Sequence, residues 1–200
     1  MSRITLGELK KAGRDPASRR SVGNGSFPTP MPMAMAAVRR LHRDGAASAR
    51  QRLVRSIEQS DYWGPRGRPQ SRSWAQGMIE CFDTYVQMDL RDGRQALQSG
   101  LARDVGLGGN VVGVNLDVIL LDPAGYVGRH TLWDRAELTS EDATLQAAPI
   151  VSALQDSLGA DRVVGVQVWH LRSGTEEFVD ANSALARMAD VSAVVARYLS

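Results

Sequence analysis

The stretch from Gly100 to Asp134, GLARDVGLGGNVVGVNLDVILLDPAGYVGRHTLWD, constrains the fold more than any other part of the chain. Three strand-like runs are separated by GLGGN and DPAG, both strong turn signals, so the segment reads as an antiparallel meander. The glycines of GLGGN join two strands rather than opening a helix, and no Lys-Ser/Thr pair follows them. They are therefore turn residues and not a phosphate-binding loop.

Helical patterns surround the meander. Ser73 can cap WAQGMIECFDTYVQMDL, in which Trp74, Met78, Phe82, Tyr85 and Val86 recur by threes and fours along one face. That stripe is a packing face; Glu80 and Asp83 lie on the solvated side, and Cys81 is a small core filler. GRQALQS, just before the meander, is expected to be helical. After it, TSEDATLQAAPIVSALQDSLG reads as a helix with its cap at Thr139 or Ser140 and Gly159 as its stop. DRVVGVQVWHLRSG alternates as a strand, TEEFVD pairs back onto it, and SALARMADVSAVVARYLS is an amphipathic helix with a break near Asp190. Upstream, residues 12–34 are rich in Gly, Pro, Ser and Arg and are expected to form a loop or extended arm. Residues 35–59 read as two short helices with a basic outer face, broken at Asp44-Gly45. SDYWGPRGRPQSRS is a loop that Tyr62 and Trp63 can anchor. The order of elements gives an α/β or α+β domain: a central mixed sheet containing the meander, flanked by helices.

Charge divides the chain where these patterns change. Residues 1–72 hold 15 Lys and Arg against 5 Asp and Glu, whereas residues 73–200 hold 9 against 17. The expectation is a basic N-terminal arm with short helices over 1–72, suited to nucleic acid or an acidic protein surface, followed by a core domain over 73–200. The candidate contact residues are Arg39, Arg40, Arg43, Arg52, Arg55, Arg66, Arg68 and Arg72. Of the basic residues, 22 are Arg and only 2 are Lys, which favours bidentate phosphate contacts. The one cysteine cannot form an internal disulfide, and with three histidines no Cys/His zinc cluster is within reach. No apolar run approaches the roughly 18–20 residues of a membrane helix, so a cytoplasmic location without membrane contact is expected.

Two aspartates stand out against the apolar meander. Strict alternation from Val111 to Leu121 places Val112, Val114, Leu116, Val118 and Leu120 on one face. Gly113, Asn115, Asp117, Ile119 and Leu121 occupy the other, so Asp117 stands where an aliphatic residue would be expected. In the following run Gly128, His130, Leu132 and Asp134 share a face. Strands on either side of a hairpin can bring Asp117 and Asp134 together, and two such carboxylates repel unless a cation or proton lies between them. His130 is a candidate neighbour of such a metal; His170 reads as a satisfied strand histidine.

On these residues, GVNLDVILLDPAGYVGRHTLWDRA resembles the motif of the PD-(D/E)XK nuclease superfamily, especially its RecB-like branch. There, G-x-[IV]-D-x-[IV] on one strand precedes [DE]-x-K on the next. LQAAPIVSAL resembles the Gln-x-x-x-Tyr helix of that branch, with Gln146 at the glutamine, and the likeness runs from about Trp74 to Gly174. It implies a restriction-endonuclease-like core in which Asp117 and Asp134 bind Mg or Mn to activate water for phosphodiester attack. Two departures follow: Ala136 stands at the motif lysine and Ile150 at the helix tyrosine. Arg135 and Arg129, the nearest cations, have the wrong strand parity to replace the lysine. The resemblance therefore implies a degenerate site that retains a metal weakly or as a vestige. The leading expectation is a nonenzymatic nuclease-like subunit that binds nucleic acid or docks within a larger assembly. An active metal-dependent nuclease with a displaced basic residue and a purely structural interaction protein are the alternatives.

Overall fold

A computed structural model describes residues 2–18, 31–59 and 69–200. The chain opens with strand β1 (Arg3–Thr5) and helix α1 (Leu6–Arg14), neither anticipated from sequence. Helices α2 (Met31–Asp44), α3 (Ala46–Glu58) and α4 (Pro69–Asp92) follow, then the meander β2 (Gln95–Leu107), β3 (Asn110–Asp122) and β4 (Gly125–Leu132). Helix α5 (Ser140–Leu158) crosses to β5 (Val163–His170), which turns into β6 (Thr175–Asp180) before α6 (Ala181–Ala186) and α7 (Met188–Leu199).

The meander forms as its turns dictate. Gly108 and Gly109 both take positive φ, 53° and 87°, between β2 and β3, a conformation glycine adopts without a Cβ penalty. Asp122 closes the next turn by accepting a bond from the Ala124 amide at 3.0 Å. Strand β5 runs parallel to β4, as a crossover helix requires, and β6 returns antiparallel. The sheet is therefore mixed, and the fold class is α/β as expected.

Helices cover both faces. On one, α1, α5, α6 and α7 enclose a core that includes Ile4, Leu9, Leu116, Ile150, Val166 and Val195. On the other, α2, α3 and α4 enclose Val38, Leu53, Met78, Phe82, Tyr85, Leu120 and Trp169. Thr5 and Thr139 each make a reciprocal capping box, with Glu8 and Asp142 respectively, fixing the starts of α1 and α5.

Several expectations are corrected. Gln95–Ser99, read as helical, belongs to β2, because pairing along β3 outweighs the local preference. Helix α4 begins at Pro69 rather than Ser73. Residues 12–14 and 31–34, read as parts of an extended arm, are helical, while 19–30 lie outside the described residues. The boundary at 72 does not separate an arm from a core. Residues 3–14 enter the sheet and one core, and α2 and α3 pack with α4 to make the other. The C-terminal helix breaks at Arg187 rather than at Asp190. Tyr62, Trp63, Arg66 and Arg68 lie outside the described residues, as does the side chain of Arg72.

Candidate functional site

The site sits where the sheet forks. Strand β2 occupies one edge of β3 throughout, so β1 and β4 must share the other. Strand β4 pairs with β3 from Asp122 back to Val118, whereas β1 pairs with it at Val111–Gly113. Asp117 falls in the gap between them. One oxygen, Oδ2, accepts the backbone amide of Thr131 at 2.9 Å and the Thr131 hydroxyl at 2.6 Å. The carboxylate thus takes a ladder position that a backbone carbonyl of β3 would otherwise fill.

Across the gap the register breaks the expected alternation. Val112, Val114 and Leu116 belong to the α5-side core, but Val118 and Leu120 belong to the α4-side core and Ile119 to the α5 side. The strand reverses its inward face at Asp117, opposite the positive-φ Gly100 of β2. Strict alternation of faces therefore holds only on either side of the fork.

Extending the β3–β4 register one step beyond Val118 and Arg129 puts His130, not Asp134, opposite Asp117. Burial pushes the Asp117 carboxyl up from its ordinary pKa, partly opposed by His130 and the Thr131 bonds. Burial pushes His130 down, with Asp117 and the neighbouring Gln146 opposing and Lys10 reinforcing the shift. Gln146 is fully buried on α5 and donates to the Asp142 carbonyl at 3.2 Å. Asp117 Oδ1, His130 Nδ1 and Gln146 Oε1 are buried polar atoms without a hydrogen-bond partner. His130 thus has both Asp117 and Gln146 as neighbours.

Asp134 lies past the end of β4 and belongs to a different set of contacts. Lys10 of α1, 4% exposed, donates to both its oxygens, at 3.1 and 2.9 Å. The Ala136 amide donates to Oδ1 at 3.1 Å. His170 Nε2 donates to the Asp134 carbonyl at 3.1 Å, which fixes the proton on Nε2 in the neutral ring and leaves Nδ1 to accept from Ser173 Oγ at 2.6 Å. His170 is a satisfied histidine, as expected from its strand context.

A divalent ion shared by Asp117 and Asp134 does not fit these residues. Asp117 Oδ2 is occupied by Thr131, both Asp134 oxygens are engaged by Lys10, and no partner is common to the two. Among the described residues no three His, Cys, Asp or Glu side chains are arranged to hold a metal ion. Lys10, the buried cation that meets Asp134, was overlooked in the sequence. Its signal was legible: Leu6, Leu9, Lys10 and Gly13 fall at helical spacing, so Lys10 lies on the apolar side of α1.

Arg129 does not approach the fork. It is fully buried on the opposite side, 3.6 Å from the centre of the Trp169 ring, and pairs with Asp89 and Asp92 of α4. Arg135 is exposed.

The arginines of α2 and α3 divide by role. Arg39 turns inward and donates to Asn115 beside Gly100. Arg43 and Arg52 both reach Asp44, at 2.9 and 3.7 Å, and Arg40 lies within its field; Arg43 holds the Asp44 carboxyl below its ordinary range. Arg50 pairs with Asp83 at 2.7 Å, and Arg55 is exposed. Between α2 and α3 runs a cleft of about 270 Å³, floored by Ala36, Ala37, Ala49 and Leu53 and flanked by Arg40 and Arg52. Among the described residues no helix is long and apolar enough to cross a membrane.

No family model matches the chain, and no curated protein matches it. Among solved structures the chain aligns with SSO0001 at 14% identity, over 94% of this chain and 84% of that one. The TM-score is 0.30, too low to carry an argument.

Proposed function

We propose that this protein is a nonenzymatic subunit built on a nuclease-like α/β fold, and that the basic face of α2 and α3 contacts nucleic acid. The observation that carries the noncatalytic half is the fate of the carboxylates. Asp117 is fully buried and serves as a rung between strands, with a histidine rather than a second acid across from it. A carboxylate that activates a metal-bound water must be reachable by that water, whereas Asp117 is closed off in the core with Oδ2 bonded to Thr131 and only Oδ1 unpartnered. The binding half rests on Arg40, Arg43 and Arg52, which lie around the single carboxylate of Asp44, and on the exposed Arg55 of the neighbouring helix α3. Their planar guanidinium groups suit phosphate oxygens.

Fluorescence anisotropy with single- and double-stranded oligonucleotides tests this reading. Affinity should fall steeply as salt rises, because displaced counterions contribute to binding, and Arg40→Glu with Arg52→Glu should weaken it for every sequence alike. Absence of binding at low salt would sink the proposal. One observation favours a second reading: Lys10 meets Asp134 with the charge that an active nuclease would draw from its motif lysine. That reading requires cleavage in Mg or Mn that disappears in both Asp117→Ala and Lys10→Met.

A further inference from the structure

Two stripes of small residues meet between α2 and α3. Ala36, Ala37 and Arg40 lie at helical spacing on the first helix, and Ala49, Arg52 and Leu53 on the second. Gly45, at φ 82°, turns the chain between them. Alanine methyls do not fill the space between two helix backbones, so a trough remains. Its volume of about 270 Å³ exceeds the roughly 150 Å³ of a cavity that admits a benzene ring.

The rims of the trough are charged in one sense. Arg40 stands on the α2 bank and Arg52 on the α3 bank, and among the described residues no carboxylate lines the cleft. The two helices together carry six arginines against Asp44 and Glu58. Arg52 comes no closer to Asp44 than 3.7 Å, beyond hydrogen-bond length, and its side chain is 54% exposed, so it is free to turn toward a ligand.

A ligand that matches has a flat, largely apolar body for the floor and negative charge on both sides of it. A nucleotide within a single strand has this form, because its base is flanked along the backbone by a phosphate on either side. Guanidinium planes also stack on exposed bases. A duplex offers the phosphates but not the base, which is paired and stacked and must be flipped out before it can enter a cleft.

We infer that the α2–α3 cleft holds one unpaired base of a single strand, with Arg40 and Arg52 on the phosphates that flank it. The inference rests on the nucleic-acid reading above and narrows it to single strands.

Anisotropy titrations of the full chain at one low salt concentration test it with three ligands of equal length: a single strand, its duplex, and a strand that carries abasic sugars throughout. Charge alone would rank the duplex first. The single strand should instead bind about tenfold tighter than the abasic strand, the contribution of one held base, and tighter than the duplex. Ala36→Phe fills the trough and leaves both arginines in place. It should bring the single strand down to the abasic level while duplex binding stays the same, with Ala36→Met as the smaller filler and circular dichroism as the check of folding. A single strand that binds no tighter than the abasic strand overturns the inference and leaves the arginine reading standing; no binding to any of the three ends both. A preference that survives the filled trough places the base elsewhere and overturns it too. So does a free mononucleotide that binds as tightly as the strand, since the second flanking phosphate would then contribute nothing.

Discussion

At the scale of single residues, the fork turns on what Asp117 does with its two oxygens. Replacing it by Ala leaves the Thr131 amide without a partner in a buried site, which costs about 1–3 kcal/mol. Asp117→Asn keeps an acceptor oxygen and should cost clearly less; urea denaturation of the two variants checks the order. If Asp117 served as a metal ligand rather than a rung, Asn would lose function while retaining stability. Lys10 offers a second contrast. Its partner Asp134 is 46% exposed at the side chain and can be rehydrated, so Lys10→Met, which keeps the buried stem, should cost no more than about 1 kcal/mol. Lys10→Ala should cost more, through lost packing. The carboxylate pair was legible in sequence only as two aspartates at suggestive spacing. The face reversal at Asp117 was not legible, because alternation assumes one unbroken ladder and the fork interrupts it.

Among elements, α4 and β4 are joined by a buried ionic cluster. Arg129 sits between the Tyr85 and Trp169 rings and reaches Asp89 and Asp92, one helical turn apart on α4. Arg129→Met should destabilise the protein by about 3 kcal/mol, since it removes the closest cation from two carboxylates that are 20% and 11% exposed and leaves Asp89 only His42 and Asp92 only Arg94 and Gln167. Thermal unfolding measures the loss; a shift no larger than that of a surface substitution would show the cluster to be dispensable. The meander, its turns, the α5 cap and stop, and the α2–α3 break were all readable, because Gly, Pro, Thr and Asp act locally. The first part of β2, Gln95–Ser99, and the β1–α1 segment were not. The first is held by β3, and the second by contacts with partners more than 100 residues away, Asp104, Asp134 and Asp142.

For the molecule as a whole, the buried His130 and the half-buried His42 shape the response to acid. Burial lowers the pKa of His130 and of His42, which lies 2.8 Å from the Tyr85 hydroxyl. A lowered native pKa means that the unfolded chain binds protons first, so their stabilisation is complete above the ordinary imidazole value of about 6.5 and is lost as pH falls through the lowered values. Asp117, raised by burial, acts in the opposite sense at lower pH, losing stability as pH rises from the ordinary carboxyl value of about 3.9. Stability measured from pH 7 downward should therefore begin to decline near 6.5, and His130→Gln should flatten part of that decline. An unchanged slope in this variant would show that the native ring is charged. The fork also gives the protein an internal reporter. The Thr131 amide proton points at a carboxylate oxygen instead of a peptide carbonyl, so in a nitrogen–proton correlation spectrum its resonance should follow the ionisation of Asp117 and of its neighbour His130, a readout of the core that needs no probe attached.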